Sequence, residues 1–143
     1  MPDKRNVTVG FRSREQDGGS ERSSSLGGQL HKLSTGWVLT YREPPDEENA
    51  AETLNTLFVR EKELMLRRRG TIFLEQTFRL DELLPGKLET AYGPHDVKAL
   101  TNRLDIDLSE TGGIIEWKYD LLMQDQTVGS FHIRLDIREE QAG

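Results

Sequence analysis

Apolar and polar residues alternate with period two along most of this chain, the pattern of strands that turn one face to a core and the other to water. Trp37, Leu39 and Tyr41 share one parity, and Ile72, Leu74, Gln76 and Phe78 form a second row. Leu100, Asn102, Leu104, Ile106 and Leu108 form a third. Ile115, Trp117, Tyr119, Leu121 and Met123 make a fourth, and Phe131, Ile133, Leu135 and Ile137 the last, with Arg134 and Asp136 between them. Only Asp46 to Leu57 admits a helical reading, and the Thr, Phe and Val content of Thr53 to Val59 favours a strand there.

Turn arithmetic tests how these rows pair. A two-residue loop at Thr111 and Gly112 sets Leu108 opposite Ile115, Ile106 opposite Trp117 and Leu104 opposite Tyr119, so both apolar rows share a face. At the last hairpin a two-residue loop at Asp125 and Gln126 would misalign the rows. Register therefore predicts three loop residues, Asp125 to Thr127, and Ser34, Thr35 and Gly36 predict a similar turn that brings Leu33 opposite Trp37. Residues 15–28, rich in Gly and Ser, read as a long mobile loop, and residues 44–50, two prolines followed by acidic residues, as a second connection.

Nine or ten short strands, tight turns and no helical layer leave a sandwich or a closed barrel, and sequential hairpins favour the barrel. The expected fold is therefore all-β, a single antiparallel up-and-down barrel of about 8–10 strands. At about eight strands its interior is filled by side chains or holds one small ligand.

The chain has 143 residues, the size of one domain with one core, so residues 1–143 are expected to form a single unit. With no cysteine, thiol catalysis, thiolate metal sites and disulfides are excluded, which suits a reducing compartment. No apolar run has the length of a signal peptide or a membrane span, and the expectation is a cytoplasmic protein that does not enter a membrane. Residues 1–28 hold five basic and four acidic groups, leaving 14 against 21 for the rest of a chain whose net charge is −6. An acidic body argues against nucleic-acid binding, where a basic field supplies most of the non-specific affinity. The basic run Arg60 to Arg69 reads as a solvated edge.

No nucleophile elbow, zinc-protease helix, P-loop or dinucleotide fingerprint is present, so no catalytic residue and no cofactor are expected. His31, His95 and His132 lack metal-ligand spacing, and Asp105, Asp107 and Glu110 read as outward charges, so no metal is expected either. Polar groups on apolar rows are more informative. Gln76 and Asn102 each sit between two apolar residues of the same parity, and an inward amide needs a partner, which is the barrel itself, a buried water or a ligand. On the ligand reading Gln76 orients a small, partly apolar molecule between aromatic walls drawn from Trp37, Tyr41, Tyr92, Trp117 and Tyr119. Arg68 and Glu43 form either an inward clamp for an anionic or polar headgroup or a solvated pair of small energetic weight.

The ordered series Leu39-Thr-Tyr41-Arg-Glu43, Arg68-Arg-Gly70, Gln76-Thr-Phe78, Thr90-Ala-Tyr92-Gly93, Thr101-Asn-Arg-Leu104, Gly112-Gly113 and Tyr119-Asp-Leu121 resembles the YwiB-like family, a bacterial family of unknown function. The resemblance runs from about Leu30 to Ile137 and departs from the family pattern at Ala91, where proline is expected. It implies a calycin-type (lipocalin-like) barrel and carries no activity with it. Two functions follow as expectations: a non-enzymatic barrel that binds a small, partly apolar or amphipathic molecule inside, or a solidly packed barrel that meets another protein through an edge, the Arg60 to Arg69 strip or its acidic surface.

Overall fold

The computed structural model describes residues 4–15, 21–45 and 51–140. These form ten strands: β1 (Lys4–Glu15), β2 (Glu21–Leu33), β3 (Gly36–Glu43), β4 (Thr53–Val59), β5 (Leu64–Arg69), β6 (Phe73–Phe78), β7 (Leu83–Thr90), β8 (Gly93–Ser109), β9 (Gly112–Met123) and β10 (Gln126–Glu139). Each pairs antiparallel with its neighbours in the chain, and β1 closes on β10. The expected up-and-down barrel is formed, with strand count at the upper end of expectation. In the closed sheet β5 pairs with β4 on one side and β6 on the other, so the Arg60 to Arg69 run is not a sheet edge, while Glu21 to Gly27 of β2 and Arg103 to Ser109 of β8 pair on one side only.

The core follows from register. Leu30 faces Leu39, Leu39 faces Leu57 and Leu57 faces Leu66, so one apolar rung crosses four strands. Leu64 faces Phe78 on the next rung, and all six side chains are buried. Trp117, at the centre of β9, is fully buried and packs on Phe78 at a centroid distance of 5.8 Å. Phe78 meets Tyr119 at 4.6 Å and Tyr119 stacks on Phe131 at 5.3 Å, so aromatic contacts run from the packed core toward one end of the barrel.

Several expectations are corrected. The stretch 15–28 is not a loop over its described length: residues 21–28 lie in β2 and pair along β1, while residues 16–20 lie outside the described residues. One of its glycines serves close packing. A Cβ on Gly28 would overlap the Thr40 carbonyl oxygen and stand 3.3 Å from Val9 Cγ2, so only glycine fits between β1 and β3. Of the 44–50 connection, Pro44 and Pro45 follow β3 outside any strand, and residues 46–50 are not among the described ones.

Two of the turns are one residue shorter than expected, and the β8–β9 turn keeps its two residues but sits one position earlier. Leu33 pairs with Gly36 across a two-residue turn, which aligns Leu30 with Leu39 and sets Lys32 over the Trp37 ring at 5.7 Å. Ser109 pairs with Gly112, so Leu104, not Ile106, faces Trp117. At the last hairpin Gln124 and Asp125 hold φ of 53° and 65°, the left-handed pair of a two-residue turn. An extra residue sits within β10 instead, as a bulge at Val128, and it sets Phe131 opposite Tyr119 and Ile133 opposite Trp117, two residues away from the pairing that a three-residue loop would give, with both apolar rows still on the inner face.

Asn102 is a further correction. Pairing of β8 with β9 slips between Thr101 and Arg103, so Asn102 is the unpaired residue of a bulge and points to solvent. The inner row of β8 is therefore Val97, Ala99 and Thr101 before the bulge and Leu104, Ile106 and Leu108 after it, with Leu100 outside. Because Asn102 touches neither core nor cavity, Asn102→Ala is expected to shift urea-unfolding stability by no more than about 0.5 kcal/mol. An inward amide would have cost several times that.

Candidate functional site

One end of the barrel is not filled. A cavity of about 440 Å³ opens there, walled by side chains from β1 to β7, β9 and β10. Its sides are apolar, from Phe11, Leu66, Leu74, Leu88, Leu121 and Ile133, and its aromatic walls are Tyr41, Tyr119 and Phe131. Parity explains the polar end. In β5, Leu64 and Leu66 face inward, so Arg68, two residues on, faces inward at the mouth; in β4, Leu57 and Asn55 do the same. Arg68 Nη2 donates to Glu43 Oε2 at 3.0 Å, and Asn55 Nδ2 donates to the same oxygen at 2.7 Å. Glu43 is 18% exposed and Arg68 36%, so the pair sits at the water boundary.

The electrostatics suit a polar headgroup. Burial pushes the Tyr119 phenol up to about 12, against a smaller downward pull from Arg68. Tyr41 is pushed higher still, by burial first, with Arg68 lowering and Glu43 raising it. Both phenols are therefore neutral at physiological pH and keep their protons for donation. The linkage has a definite sign: a folded-state pKa above the unfolded value contributes stability in full below pH ~10, and that contribution is lost as pH rises through the folded pKa. The expected result is a melting temperature that falls from about pH 10 upward, with the tyrosinate absorbance of Tyr119 appearing only near pH 12 and that of Tyr41 later still, or both on unfolding.

The structure sorts the sequence-derived residues. Tyr41, Tyr119, Arg68 and Glu43 come together at the mouth, with Arg68 and Glu43 facing inward. Trp117 lies in the solid core below, and Trp37 packs half-buried beside Lys32. Tyr92 is no wall: it stands 94% exposed in the β7–β8 turn, because a turn residue belongs to neither strand parity. Asn102 is solvent-facing for the reason given above.

Gln76 is inward and buried, as its row predicts, and it borders not the end cavity but a separate cleft of about 510 Å³ lined from β6, β7, β8 and β9. Its Nε2 donates to the carbonyls of Thr77 at 2.8 Å, Leu84 at 3.0 Å and Pro85 at 3.3 Å. The β6–β7 ladder ends at Gln76 and Gly86, so the amide takes over where the backbone pairing stops. Gly86 permits this, since a Cβ there would overlap Gln76 Oε1. The amide nitrogen thus serves the barrel backbone, while Oε1 has no hydrogen-bond partner among the described residues.

Asn55, Phe11 and Arg22 were missed by sequence reasoning. Asn55 was legible, being an amide in the inward row Thr53, Asn55, Leu57, Val59. Arg22 carried no signal, because its Gly/Ser-rich surroundings read as a loop.

Residues 8–135 match a family described as a domain of unknown function (DUF1934). The chain belongs to this family. Among solved structures it is similar to the ywiB protein from Bacillus subtilis, at 19% identity over 99% of this chain and 96% of that one, with a TM-score of 0.81. At that identity the likeness to the ywiB protein concerns the barrel, and the family assignment rests on the match over residues 8–135. No curated protein matches the chain. Among the described residues no group of three or more His, Asp or Glu side chains is placed to hold a metal ion, and no helix is long and apolar enough to cross a membrane.

Proposed function

We propose that this member of the DUF1934 family is a non-enzymatic, cytoplasmic barrel that binds a small amphipathic molecule in its open end, apolar part inward and anionic or polar head on Arg68. The observation that carries this reading is the inward arginine at the rim of a half-empty, aromatic-walled cavity, held ready by Glu43 and Asn55. A cavity of about 440 Å³ lies in the usual range for small-ligand sites and has their composition, apolar walls with a few convergent polar groups. A charge this close to apolar walls is costly unless it is paired, and Glu43 is the pair in the absence of ligand.

The direct test is native mass spectrometry of protein purified from its own host, followed by denaturing extraction. An adduct of a few hundred daltons that leaves on denaturation is the expected result, and a bare mass that no anionic amphiphile shifts in titration refutes the reading. The calycin kinship belongs to the same proposal. A second reading, a protein-interaction module, draws on Leu80, Leu83 and Leu100, apolar side chains exposed on the outer side around β7 and β8, where Leu83 faces Leu100. A pull-down that loses its partner on Leu83→Ser and Leu100→Ser would favour it.

A further inference from the structure

The outer face of β1, β10 and β9 carries a second constellation, on the opposite side of the sheet from the cavity. Register builds it in two adjacent rungs. Arg14 faces His132, which faces Lys118, and two residues along Arg12 faces Arg134, which faces Glu116. In a chain of net charge −6 this is a local concentration of positive charge. Between the rungs lies a cleft of about 200 Å³, bordered by Arg12, Arg14, Glu21, Glu116, His132 and Arg134.

Its floor is built rather than incidental. Glu116 points outward, yet its side chain is only 10% exposed. His132 Nε2 hydrogen-bonds its Oε2, while Arg103 Nη2 at 3.4 Å and Arg134 Nη1 at 3.7 Å approach its Oε1. One buried carboxylate thus fixes a histidine and two guanidiniums from β8 and β10, and Arg134 is braced again by Asp136 at 3.2 Å. The carboxylate is fully compensated, which leaves the rim to set the sign of the cleft.

The rim is Arg12 and Arg14. Both lean toward one carboxylate, Glu21 of β2, but at 3.9 Å and 3.7 Å, ion-pair distances without a hydrogen bond. Two guanidiniums on one strand, two residues apart, present parallel forks to a single exposed monoanion that satisfies neither. A tetrahedral oxyanion with two charges and several acceptor oxygens fits two forks far better than one carboxylate does. Arg134 lies beside them in register with Arg12.

We propose that this outer cleft binds the phosphate group of a small phosphorylated molecule, gripped by Arg12 and Arg14 with Arg134 alongside, and that Glu21 is the counterion it displaces. The cleft has room for one such group and the first atoms of its carrier. The site is independent of the cavity, because it uses residues of the opposite parity on the same strands.

Titration calorimetry on the full chain at low salt, with inorganic phosphate, glycerol 3-phosphate and vesicles containing phosphatidic acid as three probes, tests this. Saturable binding of glycerol 3-phosphate is expected, weakened about tenfold by Arg12→Ala or Arg14→Ala and strengthened several-fold by Glu21→Gln. Arg42→Ala, an exposed arginine paired with Glu52 on β3, should leave it unchanged. Binding of phosphate and glycerol 3-phosphate alike identifies the group as the determinant, whereas preference for the vesicles identifies a lipid source. All three rim substitutions lie at exposed side chains, and matching melting curves confirm that the fold is intact. No saturable binding of any probe, equal affinity in the Arg12→Ala/Arg14→Ala double variant, or no gain in Glu21→Gln would overturn the proposal.

Discussion

Arg68→Ala should weaken binding of an anionic amphiphile by about ten- to a hundredfold while leaving the melting temperature of the free protein nearly unchanged. The loss is large because the headgroup would enter a rim whose remaining charge, Glu43, repels it. The stability effect is small because Glu43 keeps the Asn55 hydrogen bond at 2.7 Å and enough water contact to stay solvated. Glu43→Gln provides the opposite arm: freed of its counterion, Arg68 should bind an anionic probe more tightly. Fluorescence titration with an anionic, environment-sensitive dye measures both. If Arg68→Ala and Glu43→Gln move affinity in the same direction, the charge logic of the rim is wrong, and if neither moves it the cavity is not the binding place.

Gln76→Leu should lower stability by about 1 to 3 kcal/mol, a fall in melting temperature of roughly 3 to 10 °C for a domain of this size, with dye affinity unaltered. Leucine fills a similar volume but cannot donate, so the carbonyls of Leu84 and Pro85 lose their shared partner just where the β6–β7 ladder has ended. Gly86→Ala should cost at least as much, since the added Cβ overlaps the Gln76 amide and stands 2.8 Å from the Glu75 carbonyl oxygen. The two residues touch, so their effects should not add: the double variant is expected to lose less than the sum of the singles. Strict additivity in chemical denaturation would show that Gly86 is needed for something other than room for Gln76.

Parity was the part of this protein that its sequence determined. Thr53 to Val59 was a strand with the bounds expected, and Gln76, Trp117 and Tyr119 all point inward as their rows required. Parity is robust because a strand that slips by one residue exposes its whole apolar row. Turn lengths were less legible. At the last hairpin a three-residue loop was expected, and the chain instead uses a two-residue turn with a bulge at Val128, which keeps the apolar rows on one face but shifts their pairing by two residues. At Asn102 the same device inverted the reading: a bulge swaps faces in mid-strand, and an uninterrupted alternation of five residues conceals it.

The first strands were illegible for another reason. The Ser and Gly residues of β2 have weak strand preference, and they adopt it here because β1 supplies a ladder partner along their whole length, with β3 joining from Gly28 on, where only glycine fits. The two arginine sites divide along the same line. That Arg68 shares the parity of Leu64 and Leu66 is written in the sequence, but only closure of the barrel brings it to Glu43, 25 residues away in the chain. Pairing of β1 with β10 joins the two ends of the sequence and sets Arg12 and Arg14 beside Arg134 and His132, a contact between segments that no local pattern encodes. Alternation tells each side chain which face to take, and only the closed sheet decides which other side chains it will meet there.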